Sequence, residues 1–207
     1  VSAFQINFGA RVIETSGDAP DVLVALNPAA LKVNLDELKE GGLVILDAGT
    51  FNARNYEKAG WANDPLENDT LAKYRVVKID ISKLTLEAVK EFEVTSKEAL
   101  RCKNFWTLGL VYWLYGRDRE PAINWLKEKF AKLPQIADAN ISALNAGHAF
   151  GETAEMPGEV GAYIVPPADL QAGEYRNVTG TDAMAWGLTA GAQLADIKLV
   201  FCSYPIT

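Results

Sequence analysis

The chain has 207 residues, 49% hydrophobic and 23% charged, with a formal net charge of −7. That length suits one large domain, or one domain with part of another, and the composition suffices for an ordinary core. The acidic balance argues against nucleic acid or an anionic membrane surface as a partner, because both select clustered Lys and Arg. No apolar run reaches the roughly 18 residues that span a bilayer.

Ser2 to Phe8 sets Phe4, Ile6 and Phe8 against Gln5 and Asn7, which predicts a half-buried strand. Gly9-Ala10 then turns it into Arg11-Val12-Ile13 as a β-hairpin. Thr15 to Pro20 is a loop of turn formers. Asp21 to Leu26 is a short apolar run, the pattern of a strand buried on both faces. Asn27 caps the next helix and Pro28 fits its first position, where a missing N–H costs nothing. Leu31, Leu35 and Leu38 continue at helical spacing until Gly41-Gly42, and Leu43 to Asp47 repeats the buried-strand pattern. Strand, helix and strand at this length predict a βαβ unit with parallel strands. Asn27 and Asp47 fall just past the carboxyl ends of those strands, where ligands usually meet such sheets.

A short helix is expected over 55–60 and an irregular polar stretch over Trp61 to Asp69, followed by a strand from Tyr74 to Ile81. Ser82 is expected to cap a helix through Phe92. Thr95 or Ser96 opens a long helix through Tyr115, with Ala99, Cys102, Phe105, Trp106, Gly109, Leu110 and Trp113 at helical spacing. Gly116 ends it. Two more helices open at Glu120-Pro121 and Pro134, giving a helical flank over one face of the sheet. Residues 151–173, punctuated by Pro157-Gly158 and Pro166-Pro167, predict a linker or crossing arm. Beyond it come a helix rich in small residues, Asp182 to Ala195, a buried strand Leu199 to Cys202, and the loop Ser203 to Thr207. The chain starts in a strand without Met and stops in a loop after a strand, so it reads as an internal segment of a longer protein.

Little in this order carries chemistry. His148 is the only histidine, and one His without partners at ligand spacing makes no metal site. Cys102 and Cys202 read as buried thiols in a reducing compartment, and two cysteines that far apart do not hold an iron–sulfur cluster. Neither a Gly-x-Gly-x-x-Gly nor a Walker pattern is present. Gly187-x-x-x-Gly191 reads as close helix packing. Trp106, Trp113 and Trp125 read as core or interface, and Asp18 and Asp21 as loop carboxylates with a capping role. Ser203-Tyr204-Pro205-Ile206-Thr207 stands apart: a Pro directly after a strand fixes the backbone at the sheet edge, and a hydroxyl there can donate to an anionic ligand.

Five stretches occur in a telling order: Ser2-Ala-Phe-Gln-Ile6, Thr15 to Pro28, Lys97-Glu-Ala-Leu-Arg-Cys-Lys-Asn-Phe105, Tyr175-Arg-Asn-Val-Thr-Gly180 and Ser203-Tyr-Pro-Ile-Thr207. Together they resemble the alpha subunit of 2-oxoacid:ferredoxin oxidoreductases, in the form with a gamma domain fused ahead of the alpha domain. The resemblance covers the whole chain and leans toward the 2-oxoglutarate type. It implies an α/β fold with a Rossmann-like gamma domain over 1–150, lacking its first strand and Gly-rich loop. It further implies a linker over 151–173 and the beginning of a thiamine-diphosphate pyrimidine-binding α/β domain over 174–207.

By the same resemblance, Tyr204, Pro205, Ile206 and Thr207 match the family's Tyr-Pro-Ile-Thr-Pro motif and bind substrate, with the threonine beside the thiazolium ring and the substrate carboxylate. The implied reaction is coenzyme A-dependent oxidative decarboxylation of a 2-oxoacid, giving acyl-CoA, carbon dioxide and reduced ferredoxin. A beta subunit brings the diphosphate, Mg2+ and a [4Fe–4S] cluster, and the setting is cytoplasmic. No complete catalytic set is expected within these residues. Two other readings stand beside it. One is a non-catalytic assembly domain covering the active site or coenzyme A. The other is a free-standing nucleotide-binding module, which the missing Gly-rich loop disfavours.

Overall fold

Apolar residues at 22–25 and 43–47 form the first two strands of a small parallel sheet. The computed structural model describes residues 3–154, 160–176 and 178–202, so the loop Ser203 to Thr207 lies outside the described residues. The chain divides into two compact units, Val1–Asp169 and Leu170–Thr207.

In the first unit β1 (Val22–Ala25) pairs with β2 (Leu43–Asp47), which pairs with β3 (Arg75–Ile79), in the order β1-β2-β3 with both pairings parallel. The crossover between β1 and β2 is α1 (Pro28–Asn34), with Pro28 in its first turn and the Asn27 side chain accepting from Ala30 N. A single 3-10 turn, Leu35–Glu37, follows. Gly41 adopts φ 76°, a left-handed conformation that favours glycine, and the chain turns there into β2. The βαβ unit therefore forms where the apolar runs place it.

Every residue of β2 is buried, and alternation along the strand splits the core in two. Leu43 and Ile45 join Val77, Ile79, Trp106, Leu110, Leu114, Ala139 and Ala143 on one side. Val44 and Leu46 join Ala25, Leu31, Leu35, Leu38 and Leu71 on the other. Each fully buried aliphatic side chain here stabilises the fold by about 1.5–3 kcal/mol relative to exposure.

After β2, α2 (Ala53–Ala59) is capped by Asn52 and ends at Gly60 in the left-handed conformation. Trp61 Nε1 donates to the Pro28 carbonyl at 3.0 Å, fixing the irregular loop onto α1. The third strand stops at Ile79, and α3 (Ile81–Val89) is capped by Asp80, whose side chain accepts from Lys83 N. Ser82 is thus a helical residue and not the cap, and its side chain is used elsewhere.

The long helix expected over 95–115 is two helices, α4 (Ser96–Arg101) and α5 (Lys103–Leu114), parted at Cys102. Thr95 and Glu98 close a capping box at its start, satisfying backbone N–H groups that have no intrahelical partner. Next come α6 (Glu120–Lys129) and α7 (Pro134–Thr153). The cover on the Leu43/Ile45 face is a crossing of α5 and α7 whose backbones meet at two glycines. A Cβ at Gly109 would meet the Leu144 carbonyl, and one at Gly147 would meet the Trp106 carbonyl. Ser142 Oγ donates to the Ala88 carbonyl at 2.8 Å, tying α7 to the end of α3.

The hairpin expected over 2–13 is not a ladder. Residues 3–20 contain no strand. Gln5 Nε2 instead donates to the carbonyls of Ser16, Gly17 and Asp18, and Asn7 Nδ2 donates to that of Thr15. Side-chain amides hold this segment, leaving Phe4 and Ile6 exposed, and a lone two-stranded pairing is only marginally stable. Asp21 does not cap. Its carboxylate pairs with Lys39 Nζ at 2.7 Å, on the surface.

The second unit holds α8 (Gly180–Leu194), opened by a Thr179–Asp182 capping box. Met184, Trp186, Leu188 and Leu194 are exposed along it. A Cβ at Gly187 or Gly191 would meet nothing within 4 Å, so close helix packing within this chain is found at Gly109 and Gly147 and not at this pair. Leu199 to Cys202, expected as a buried strand, belongs to no strand, and Leu199, Val200, Phe201 and Cys202 are exposed. A strand needs a neighbouring strand to satisfy its backbone, and none is paired to this stretch among the described residues. Cys202 is accordingly not a buried thiol.

Candidate functional site

At the carboxyl edge of the sheet, the last residue of β2 is a carboxylate with no solvent exposure. Asp47 Oδ1 accepts from the Ser82 N–H at 3.0 Å, and Oδ2 accepts from Ser82 Oγ at 2.6 Å and Lys103 Nζ at 2.8 Å. Lys103 Nζ also reaches Ser82 Oγ at 3.4 Å. Three elements converge here: the end of β2, the first turn of α3, and the first residue of α5 beyond the Cys102 break. Burying an unpaired charge is costly, so the three-way arrangement supplies both a counter-ion and the hydrogen bonds that such a carboxylate needs. The Lys103 side chain is 17% exposed and Asp47 is 0% exposed, so the pair is screened little by solvent.

Next to it, Thr50 Oγ1 lies 3.0 Å from the Leu26 carbonyl and 2.9 Å from the Asp47 carbonyl. One hydroxyl thereby bridges the ends of β1 and β2. Gly49 packs against the Asp80 carboxylate so closely that a Cβ would lie 3.1 Å from its Cγ. This edge is closed and internally satisfied. Its Asp47 carboxylate is already occupied by three donors and so is not a free general base.

Of the residues singled out from sequence, Asp47 lies in this cluster, whereas Asn27 is spent on the cap of α1. Ser82 and Lys103 are the members that sequence reasoning missed. A signal existed for Lys103, a cation set beside the apolar seam of Ala99, Cys102 and Trp106, but nothing in the spacing named Asp47 as its partner.

His148 lies in the last turns of α7. Its Nδ1 is buried without a hydrogen-bond partner, 3.4 Å from Glu152 Oε1. Burial lowers its pKa, as does the Arg119 charge, while Glu152 opposes them. Arg119 is itself held to Asn145 Oδ1 at 2.8 Å. Cys102 is a core thiol, and burial pushes its pKa up to about 11, the opposite of an activated nucleophile. Trp106 is 1% exposed and Trp125 48% exposed, so the first belongs to the core. Trp125 lies on the outer face, 6.2 Å from the Phe105 ring. A shallow apolar cleft of about 280 Å³ lies between α3 and α4, lined by Leu86, Val89, Phe92, Val94, Ala99 and Leu100. Among the described residues no group of three or more His, Cys, Asp or Glu could hold a metal ion. No helix among them is long and apolar enough to cross a membrane. The expected substrate-binding residues Tyr204, Pro205, Ile206 and Thr207 lie outside the described residues.

A parallel α/β unit with a saturated polar cluster at its carboxyl edge defines a scaffold more than a reaction. Residues 1–150 match the family described as pyruvate ferredoxin/flavodoxin oxidoreductase, and the chain belongs to that family. Across all 207 residues it is 46% identical to the 2-oxoglutarate oxidoreductase subunit KorA of Mycobacterium tuberculosis (strain ATCC 25618 / H37Rv), and it spans 31% of that relative's length. The fold is shared with the 2-oxoglutarate:ferredoxin oxidoreductase of Magnetococcus marinus, a structure described with 2-oxoglutarate, coenzyme A and succinyl-CoA bound. That likeness has a TM-score of 0.53 at 20% identity and covers 75% of this chain and 24% of that one.

Proposed function

We propose that this chain is part of a 2-oxoacid:ferredoxin oxidoreductase acting on 2-oxoglutarate, converting the oxoacid and coenzyme A to acyl-CoA, carbon dioxide and reduced ferredoxin. The observation that carries this reading is the 46% identity to KorA along the entire chain. In this reading residues 1–150 are a Rossmann-like gamma domain, 151–173 a connecting arm, and 174–207 the beginning of the thiamine-diphosphate pyrimidine-binding domain.

The chemistry divides accordingly. Bound thiamine diphosphate supplies the electron sink for decarboxylation, and the protein supplies orientation and electrostatics. Cys102 is a core thiol, Cys202 lies in the other unit, and no metal-binding group occurs among the described residues. These residues therefore do not fit a [4Fe–4S] cluster, which the proposal assigns with Mg2+ and the diphosphate to a beta subunit. Tyr204 to Thr207 would border the substrate, with the Thr207 hydroxyl orienting its carboxylate. A strong ion pair there would hold back decarboxylation by stabilising the ground state, so a neutral donor suits the position.

The first unit's contribution is architectural. Its buried carboxylate is saturated by Ser82 and Lys103, which supports the reading of residues 1–150 as an assembly domain that covers the active site and binds a partner. The setting proposed is cytoplasmic.

The test is viologen reduction by the intact native complex with coenzyme A and a panel of 2-oxoacids. Reduction that requires both coenzyme A and 2-oxoglutarate is expected. A complex replete in thiamine diphosphate and cluster that fails to reduce viologen with any oxoacid would overturn the enzymatic reading and leave only the assembly role.

A further inference from the structure

Asn145, His148 and Glu152 follow one another along α7 at i, i+3 and i+7, which puts them on one face of the helix. Asn145 Oδ1 accepts from Arg119 Nη1 at 2.8 Å, so the residue just ahead of α6 is fastened one turn before the imidazole. The His148 side chain is 16% exposed, and its buried Nδ1 has no hydrogen-bond partner although Glu152 Oε1 stands 3.4 Å away. A buried polar atom left unpaired costs free energy. This one gains a use when the ring takes up a proton: a neutral imidazole has one N–H, whereas an imidazolium donates from both nitrogens. The charges that act on the ring are Arg119, from the turn ahead of α6, and Glu152, on α7 itself; neither α3 nor α5 contributes one among the described residues. The helix that Arg119 fastens is lightly held, since Leu126 is the one buried residue of α6.

We propose that Arg119, Asn145, His148 and Glu152 form a proton-operated clasp between α6 and α7. With His148 neutral, Arg119 stays on Asn145 and α6 is closed against α7. A proton on His148 makes Nδ1 a donor to the Glu152 carboxylate and sets a second cation beside Arg119. Like charges at close range repel, so the guanidinium loosens from Asn145 and α6 opens locally. Burial and the Arg119 charge hold the imidazole pKa below its ordinary 6.5, against the pull of Glu152. The neutral ring is therefore the resting form at pH 7, and the clasp responds to acidification. A base whose pKa is depressed on folding contributes stability that is present above its unfolded value and is lost as pH falls through the lower folded one. The clasp lies wholly within the first unit and does not rest on the proposed reaction.

The test uses the full-length subunit and reads two things between pH 8 and 5. The first is the His148 titration midpoint, followed by the imidazole carbon shifts and identified by the signal that His148→Gln removes. The second is hydrogen exchange of the α6 amides, corrected for intrinsic rates, with those of β2 as core references. The wild-type midpoint should lie below 6.5. Arg119→Gln should raise it by removing a like charge, and Glu152→Gln should lower it by removing the opposite one. Across the same titration the α6 amides should exchange several-fold faster in the wild type and not in His148→Gln, with β2 unchanged. A midpoint that neither substitution moves would overturn the proposal, and so would an α6 exchange profile shared by the wild type and His148→Gln. Glu152 is 57% exposed, so its variant is expected to fold even if His148→Gln does not.

Discussion

Lys103 Nζ sits 2.8 Å from Asp47 Oδ2, joining the start of α5 to the end of β2 across 56 residues of sequence. Because Asp47 is fully buried, the lysine is its counter-ion and not a surface ornament.

Lys103→Met should therefore be among the costly single changes in the chain. It leaves a buried carboxylate without its cation, and losses of about 3–5 kcal/mol are typical of that situation. Adding Asp47→Asn to it should recover a substantial part. Urea denaturation of the two variants and the double variant checks this. A single-variant loss within about 0.5 kcal/mol, as at ordinary surface positions, would mean the pair is not isolated from solvent as described.

Gly147→Ala should destabilise the first unit by about 1–3 kcal/mol, the usual range for overpacking, because its Cβ meets the Trp106 carbonyl of α5. Gly187→Ala has open space around it and should instead raise the helical content of α8, since alanine is favoured over glycine by about 1 kcal/mol in a helix interior. Thermal unfolding followed by circular dichroism separates the two outcomes. Equal effects of the two substitutions would contradict the crossing.

The two thiols should react at very different rates. Cys102 is buried with its pKa pushed up to about 11, whereas Cys202 is exposed. At pH 8 a thiol reagent should label one cysteine quickly and the other only after denaturant is added, since the thiolate is the reactive species. Stoichiometry against time reads this directly, and two fast equivalents in native protein would refute the burial of Cys102.

Glu98 gives a pH dependence with a definite sign. Hydrogen bonds from the Thr95 hydroxyl and backbone N–H lower its pKa below the ordinary value of 4.5. A carboxylate depressed in the folded state contributes stability that is present above its unfolded pKa and is lost as pH falls through the lower folded one. The start of α4 should thus fray on acidification below about pH 4.5. Thr95→Val should return the Glu98 titration, followed by carboxyl chemical shifts, toward the ordinary value. An unchanged titration would show that the capping box is not the cause.

Thr207→Ala in the full assembly should cut 2-oxoacid turnover while subunit pairing, measured by gel filtration, stays intact. Unchanged turnover would mean that the loop after Cys202 does not border the substrate.

The βαβ unit was legible because β1, α1 and β2 carry their own signals: unbroken apolar runs, Asn27-Pro28, and Gly41-Gly42. Local signals were also enough for the Thr95 cap. What escaped were relations between distant residues. Ser82 looked like a cap because Ser precedes a helical pattern, but Asp80 was two residues earlier and equally able, and the Asp47 carboxylate drew Ser82 away. The period of Phe4, Ile6 and Phe8 is that of a strand, yet Gln5 and Asn7 bind the carbonyls of 15–18 by their side chains and no ladder forms. Leu199 to Phe201 has the composition of a buried strand and lies exposed, since composition names what a segment could pair with but does not supply the partner.

The seam between α5 and α7 has a consequence for how this chain can vary. Gly109 and Gly147 each receive the other helix's carbonyl, so neither position can gain a Cβ unless the two helices move apart. A sliding of α7 by one turn would bring Leu144 or Gly151 opposite Trp106, and Gly151 is already filled by the Trp113 ring. The joint therefore behaves like a key cut for one notch. A side chain at either glycine would be felt as a misaligned roof over Leu43 and Ile45.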